Sequence, residues 1–302
     1  MKRPLQAALS LTLLFHGGVK AQNADADRQP VLSVNVDLVL LNATVRDEKG
    51  RFVSGLGEKD FQVFEDGARQ TAKSFSAGDA PVTAGLIVDH SGSMRDKILD
   101  VIAGAEAFAR HSNPHDEIFV VNFNERVSRG LNGGFIFTNS PVELNRAILS
   151  APARGMTALY DAIATGLDQL KAGAREKKVL IVISDGGDNA SSRSLAGILR
   201  LAAESNAIIY CIGVFDENDR DRNPGVLRQI ARSTGGAVFL PKKTADVVQI
   251  CQEIAAEIRN QYTIGYTPSH GRDGAYHKLR VVAQAAGKGK LSVRARSGYI
   301  AE

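Results

Sequence analysis

Residues 84–93 read Ala-Gly-Leu-Ile-Val-Asp-His-Ser-Gly-Ser, an apolar run that passes directly into a polar turn. The apolar part is typical of a strand that is covered on both faces, as in a parallel sheet flanked by helices. The polar part has oxygen-bearing side chains at alternate positions, Asp89, Ser91 and Ser93. Because loops at the carboxyl ends of parallel strands bind ligands, this stretch predicts a buried strand followed by a ligand-binding loop.

The chain around this segment, from residue 81 to residue 261, alternates short apolar runs with amphipathic stretches. This alternation predicts an α/β fold with a doubly wound, mostly parallel sheet. The predicted strands are Ala84–Val88, Ile118–Phe123, Val179–Ile183, Ile208–Val214 and Ala237–Leu240. The predicted helices are Lys97–Arg110, Val142–Leu149, Ala158–Arg175, Leu195–Ser205, Gly225–Ser233 and Ala245–Gln261. Within residues 125–140, the alternating Phe135 and Phe137 predict an antiparallel strand at the sheet edge.

The two flanking regions, residues 22–80 and 262–302, carry strand signals. Residues 31–45 predict a strand with a bulge near Leu40, where the apolar alternation changes parity. Phe61–Glu65 followed by Asp66-Gly67 predicts a hairpin with a two-residue loop. Because two or three strands alone are marginally stable in water, we expect both regions to pair into one small flanking β-domain. The predicted C-terminal strands are Tyr262–Tyr266, Leu279–Ala283 and Leu291–Ala295.

The first 21 residues have the pattern of a secretory signal peptide. Lys2 and Arg3 form a basic start, and the apolar stretch Leu5–Phe15 follows. That stretch is much shorter than the roughly 20 residues of a spanning helix, so cleavage is favoured over the alternative of an uncleaved anchor. The small residues Val19 and Ala21 mark the expected cleavage site. We therefore expect a secreted or periplasmic protein with no transmembrane segment in the mature chain.

Charge and cysteine content limit the classes of partner and fold. The formal net charge of +4 falls to +1 in the mature chain, because Lys2, Arg3 and Lys20 are removed and no acid is lost. The mature chain therefore lacks the strong positive charge that would be the simplest indication of a nucleic-acid partner. The C-terminal residues 272–296 are rich in basic side chains. These side chains either form a face that binds an anionic polymer or are ordinary solvent-facing positions of strands. Cys211 and Cys251 are compatible with buried thiols or with a disulfide.

Two further oxygen-bearing residues occupy equivalent places along the predicted sheet. Thr157 lies at the start of a predicted helix, and Asp185 directly follows the predicted strand Val179–Ile183. With Asp89, Ser91 and Ser93, they can converge on one edge of the sheet. Hydroxyl and carboxylate oxygens are typical ligands of a hard cation, so we expect Mg²⁺, with Mn²⁺ and Ca²⁺ as alternatives.

These five residues, in this order, resemble the metal-ion-dependent adhesion site of von Willebrand factor A domains. The resemblance covers about residues 81–261, and the β flanks resemble those of exported bacterial proteins related to this family. It implies that Ser91 and Ser93 bind the metal directly, and that Thr157 and the aspartates bind it directly or through water. It also implies adhesion or scaffolding, with a partner protein supplying an acidic residue to the metal.

Other features of the motif allow different interpretations. His90 beside Ser91 suggests the alternative of a metal-assisted hydrolase, but the segment lacks the glycine pattern of a nucleophile elbow, so we expect His90 at the rim. We find no second cluster of His or Glu near the motif to supply a general base, so we expect no enzyme. Asp188 and Asn189 either shape a turn or support the ligands. The acid-rich residues 216–221 lack EF-hand spacing and predict a solvated loop.

Overall fold

The structure is a computed structural model, and it describes residues 38–215 and 222–301. The predicted signal peptide and the acid-rich residues 216–221 lie outside the described residues. The strands are β1 (Val39–Arg46), β2 (Phe61–Glu65), β3 (Ala68–Gln70), β4 (Ala72–Ala77), β5 (Val82–Asp89), β6 (Glu117–Phe123), β7 (Val127–Arg129), β8 (Lys177–Ser184), β9 (Ala207–Gly213), β10 (Val238–Phe239), β11 (Tyr262–Tyr266), β12 (Tyr276–Ala283), β13 (Ser292–Arg294) and β14 (Gly298–Ile300). The helices are α1 (Ile98–His111), α2 (Pro141–Leu149), α3 (Leu159–Leu170), α4 (Leu195–Glu204), α5 (Pro224–Ser233) and α6 (Val247–Arg259).

A six-stranded sheet forms the centre of the fold, in the order β10-β9-β8-β5-β6-β7. Its strands are parallel except β7, which runs antiparallel to β6 at the edge. Helices α1, α2 and α6 pack on one face, and helices α3, α4 and α5 pack on the other. Apolar runs such as β5 are buried because both faces of the sheet are covered. The predicted doubly wound α/β fold is therefore confirmed.

Two predicted elements end differently in the structure. Helix α3 stops at Leu170 instead of continuing to Arg175, because the chain turns at residues 171–173. Gly173 packs so closely on Thr83 that a Cβ atom would lie 2.3 Å from its hydroxyl oxygen. At the sheet edge, the antiparallel strand is β7, and the segment with Phe135 and Phe137 that was expected to form it contributes only a bridge between Ile118 and Thr138.

The flanking strands form two four-stranded sheets, which we call the β-layer, in the orders β13-β1-β11-β4 and β14-β12-β2-β3. N-terminal and C-terminal strands pair in both sheets, with Val39 opposite Tyr266 and Leu279 opposite Glu65. The two sheets share one apolar core. The predicted pairing of the two flanking regions is therefore confirmed. The hairpin loop is also as expected, since Asp66 and Gly67 both have positive φ angles.

The bulge expected near Leu40 is absent from β1 in the described structure. The pairing of β1 with β11 is continuous over residues 39–43. Leu41, Ala43 and Val45 all face the core, whereas Leu40 lies on the opposite face and is partly exposed. The apparent change of parity in the sequence therefore reflects an apolar residue on the outer face. The register shift occurs instead between Gly265 and Tyr266, where β11 pairs with β4.

A buried polar network joins the β-layer to the central sheet. The Glu257 carboxylate on α6 is fully buried and accepts hydrogen bonds from Tyr210 Oη at 2.7 Å and from Thr44 Oγ1 at 3.1 Å. Arg46 of β1 and Arg294 of β13 form ion pairs with the same carboxylate. Because a buried charge is costly unless it is paired, these contacts fix the β-layer against α6.

The cysteines are free thiols on opposite faces of the central sheet. Cys211 in β9 packs with the α3, α4 and α5 core, and Cys251 in α6 packs with the α1, α2 and α6 core. Burial raises the pKa of both thiols, to about 12 for Cys251. A disulfide is therefore excluded by their placement.

Among the residues that the structure describes, no helix combines the length and the hydrophobicity needed to cross a bilayer.

Candidate metal centre

The candidate ligands lie at the edge where the parallel strands β5 and β8 end. These strands are neighbours, with Val88 paired to Ile183, so Asp89 and Asp185 follow at the same edge of the sheet. Ser91 and Ser93 lie in the turn and 3₁₀ segment that lead into α1. Thr157 lies just before α3. The topology therefore brings all three ligand-bearing segments to one edge.

Asp89 is fully buried, and both of its carboxylate oxygens accept hydrogen bonds. Oδ1 accepts from the backbone N–H of Ser91 at 2.7 Å, which shapes the turn. Oδ2 accepts from the hydroxyl of Ser184 at 2.6 Å. Asp89 therefore organises the loop as well as offering charge to an ion.

The oxygen atoms of Ser91, Ser93 and Asp185 form a continuous cluster. Ser91 Oγ and Ser93 Oγ are 3.1 Å apart, and Ser93 Oγ donates to Asp185 Oδ2 at 2.5 Å. The other Asp185 oxygen accepts from the backbone N–H of Gly187 at 3.1 Å. These contacts link the β5 loop directly to the β8 loop.

Thr157 is fixed by backbone contacts on both sides. Its N–H donates to Asn189 Oδ1 at 2.8 Å, and its carbonyl accepts from the N–H groups of Asn189 and Ala190. Gly92 N–H donates to the carbonyl of Gly155 at 3.1 Å, which holds the Thr157 segment beside the serine turn. The structure therefore brings Thr157 to the same edge as the other four residues.

Electrostatic repulsion between carboxylates is built into this group of residues. Burial, and then the nearby charge of Asp185, raise the pKa of Asp89 to about 6, although hydrogen bonds from Ser184 and Ser91 oppose the shift. A divalent cation between the two carboxylates would relieve this repulsion. Asp89 and Asp185 are therefore two repelling carboxylates at one edge of the sheet.

The side chains present fit a hard divalent cation. The five residues offer only carboxylate and hydroxyl oxygens, which suit Mg²⁺ better than softer metals. Neighbouring ligands of an octahedral Mg²⁺ ion are about 2.9 Å apart, given metal–oxygen distances of 2.0–2.1 Å. The 3.1 Å separation of the Ser91 and Ser93 oxygens is close to this spacing.

His90 does not lie at the rim, contrary to the expectation from sequence. Its ring is buried, and its Nε2 faces Asn122 Oδ1 at 3.1 Å, while Nδ1 has no hydrogen-bond partner. Burial lowers the pKa of His90, although the Asn122 contact opposes the shift. The ring points into the fold because β5 continues to Asp89 and the main chain of His90 remains bonded to Phe123.

Residues 85–253 match the family model of the von Willebrand factor type A domain. The chain belongs to this family. Domains of the family are generally protein-interaction modules. No curated protein sequence matches the chain.

Solved structures with this fold are distant in sequence. A von Willebrand factor type A protein from Catenulispora acidiphila is 17% identical, with a TM-score of 0.53 over 80% of this chain and 73% of that chain. Proximal thread matrix protein 1 from the mussel byssus is 16% identical, with a TM-score of 0.50 over 70% of this chain and 51% of that chain. At these identities the likeness shows the fold alone.

The structure adds two supporting residues that sequence reasoning missed, Ser184 and Glu125, and it distinguishes the roles of Asp188 and Asn189. Ser184 bonds to Asp89, and Asn189 holds the backbone of Thr157. Asp188 accepts from Tyr160 N–H and from Ser191 Oγ at the start of α3, so it shapes a turn. Glu125 accepts from the Met156 N–H at 3.1 Å. Of the two roles that the sequence left open, Asp188 therefore takes the turn role and Asn189 the supporting role, whereas only the proximity of Ser184 to Asp185 could have pointed to Ser184.

Proposed function

We propose that this chain is a secreted, metal-dependent protein-binding module that acts in adhesion or scaffolding. Its von Willebrand factor type A domain binds one Mg²⁺ ion through Asp89, Ser91, Ser93, Thr157 and Asp185. A carboxylate of a partner protein completes the metal coordination. The observation that carries this proposal is the oxygen cluster that links Ser91, Ser93 and Asp185 at the sheet edge.

The composition of the cluster explains why such an ion would attract an external ligand. Three of the five proposed ligands are neutral hydroxyls, so they cancel little of the ion's charge. A Mg²⁺ ion in this setting also keeps water in its coordination shell. A carboxylate from outside can replace a water molecule and supply the missing negative charge. The metal then bridges two proteins.

Basic side chains near the candidate ligands support an acidic partner. Arg95, Arg126 and Arg154 are exposed on the segments that carry or adjoin the site. Arg95 Nε lies 3.4 Å from the carbonyl oxygen of Ala153, beside the Thr157 segment. Positive charge around a cation raises the attraction for an acidic surface and speeds its association. Met156, 54% exposed next to Thr157, adds an apolar contact.

The alternative of a metal-assisted hydrolase has less support. A hydrolase needs a general base within reach of its nucleophile or water. His90 is the histidine beside Ser91 in the chain, and its ring is buried against Asn122. This placement favours binding over catalysis.

A capture experiment with the purified protein tests the proposal. We expect envelope proteins from the source organism to bind the chain in Mg²⁺ and to be released by EDTA. Asp89→Asn removes the charge of one proposed ligand and should abolish capture. Asp168→Asn is the matched control, because Asp168 is an exposed carboxylate on α3 that pairs with Lys171. Equal capture with Mg²⁺ and with EDTA would contradict the proposal.

A further inference from the structure

A second group of metal-binding side chains lies in the β-layer, away from the β5 and β8 loops. Among the described residues, Glu65, His270 and His277 place one potential ligand atom each within 4.8 Å of one another. Glu65 ends β2, His277 lies in β12, and His270 lies in the loop between β11 and β12. Because β12 pairs with β2, the fold brings together residues that are distant in the sequence.

The contacts of Glu65 are already spaced as ligands of one ion. Glu65 Oε1 is 3.2 Å from His270 Nε2. Around a tetrahedral Zn²⁺ ion with metal–nitrogen distances of 2.0–2.1 Å, neighbouring ligand atoms are about 3.3 Å apart. The hydroxyls of Tyr266 and Tyr299 donate to the same oxygen at 2.7 and 2.8 Å, so they orient the carboxylate.

The surroundings of His277 also favour a cation. Its Nδ1 is 2.8 Å from Asp66 Oδ2, and its Nε2 is 3.2 Å from both carboxylate oxygens of Asp273. A neutral imidazole has one N–H, so it can donate to only one of these carboxylates. If Nδ1–H donates to Asp66, the lone pair of Nε2 faces a carboxylate, and a metal ion there removes the repulsion. A histidine held by a carboxylate is the usual arrangement of metal-binding histidines.

We propose that Glu65, His270 and His277 bind a transition-metal ion of the Zn²⁺ class. Asp66 orients the His277 ring through its Nδ1. Imidazole and carboxylate ligands together suit Zn²⁺, Cu²⁺ or Ni²⁺, whereas the candidate site at Asp89 offers only oxygen. This second site would stabilise the β-layer, because it links β2, β12 and the loop after β11.

The stacking of the two histidine rings means that one ring has to turn when a metal ion binds. The His270 and His277 rings are 3.5 Å apart between centroids and nearly parallel, with an angle of 7°. An ion in the plane of one ring therefore lies outside the plane of the other. His277 is fixed in β12, whereas the His270 side chain is 21% exposed in its loop. The His270 ring therefore turns when the ion binds.

Zinc titration of the untagged, EDTA-treated chain tests this site. With Mg²⁺ in excess, we expect one Zn²⁺ ion to bind per chain and to raise the melting temperature. His270→Gln and His277→Gln should each weaken Zn²⁺ binding at least tenfold. Asp66→Asn should weaken it about 10–100-fold, as expected for a residue that orients a ligand. Circular dichroism of each variant establishes that it folds.

Two controls separate this site from other metal binding and from a hydrogen-bonded network. His115→Ala deletes an exposed imidazole elsewhere and should leave Zn²⁺ affinity unchanged. Asp89→Asn should also retain Zn²⁺ binding, so a failure of the proposed Mg²⁺ site leaves this test intact. A wild-type chain that shows no Zn²⁺-dependent rise in melting temperature would overturn the inference. Variants at His270 and His277 that bind Zn²⁺ as tightly as wild type would also overturn it, and the cluster would then be a hydrogen-bonded network.

Discussion

Asp89 and Thr157 differ in how far each is tied into the scaffold of the candidate site. Asp89 accepts two hydrogen bonds that shape the turn and hold Ser184. The contacts that fix Thr157 to Asn189 use the backbone of Thr157 and do not involve its hydroxyl. A substitution at Asp89 therefore has to preserve its shape, whereas a substitution at Thr157 can remove the hydroxyl alone.

Asp89→Asn should separate metal binding from folding. The amide keeps an acceptor for the Ser91 N–H, but it removes the charge that attracts the cation. We expect Mg²⁺ binding in calorimetry to be lost. The metal-free variant should melt at or above the temperature of wild type, because repulsion between two buried carboxylates is relieved. A large fall in the melting temperature, measured in EDTA, would show that Asp89 is mainly structural.

Thr157→Ala should weaken partner binding more than metal binding. If the Thr157 hydroxyl binds the metal directly only when a partner carboxylate is present, only the bound state loses a ligand. Thr157→Ser is the matched control, because it keeps the hydroxyl and should retain capture. The measurements are Mg²⁺ calorimetry and pull-down on both variants. An equal loss of both affinities in Thr157→Ala would contradict this role.

At the same scale, the sequence indicates the candidate ligands more directly than the residues that support them. Asp89, Ser91 and Ser93 are recognisable because they are close in the chain and follow an apolar strand. The sequence leaves the role of Asn189 open between a turn and a support, because its contact with Thr157 spans 32 residues and depends on the packed fold. The position of His90 was predicted wrongly for the same reason, since its burial depends on Asn122 in the neighbouring strand.

At the scale of elements, apolar runs locate the strands of the central sheet closely. The runs that predict β5, β6, β8 and β9 each lie within two residues of the observed bounds, because both faces of these strands are buried. Element ends are less predictable. Helix α3 ends where Gly173 packs on Thr83, a contact between separate segments that periodicity cannot reveal.

The first residue of β8, Lys177, should make stability depend on pH. Lys177 is buried and donates to the carbonyl of Ile258 at 2.9 Å. Burial lowers its pKa from 10.5 to about 8, although Asp79 and Asp116 oppose the shift. Between these two pKa values the unfolded chain binds more protons, so the free energy of unfolding rises with pH through this window.

Lys177→Met should remove this dependence. The wild-type contribution is on the order of 3 kcal/mol between pH 8 and 10.5, at about 1.4 kcal/mol per pKa unit. Urea unfolding of both proteins at pH 7.5, 9 and 10 measures their free energies of unfolding. The value for wild type should rise relative to that of Lys177→Met as the pH rises. The substitution also removes the hydrogen bond to the carbonyl of Ile258, which changes the free energy of unfolding by an amount that does not depend on pH. A constant difference across these pH values would contradict the prediction.

At the scale of the whole molecule, the fold is completed only when both ends of the chain are present. Strand β11 lies between β1 and β4, so the C-terminal region supplies an interior strand to an N-terminal sheet. Truncation after Gln261 should expose apolar side chains such as Leu41 and Val63 and leave unpaired strand edges. We expect aggregation in light scattering, whereas a truncation of residues 1–21 serves as the control. A monomeric, cooperatively folding product would contradict this prediction.

The pairing of the N-terminal and C-terminal flanking regions has a mechanical consequence for the proposed role in adhesion. Tension applied at residues 38 and 301 first loads the hydrogen bonds of β1 with β11 and β13, and those of β14 with β12. The central sheet and its β5 and β8 loops lie between these points in the chain, but outside the shortest load path. The β-layer therefore acts as a clamp. Until it opens, a pulling force would reach the β5 and β8 loops only through a partner bound to them.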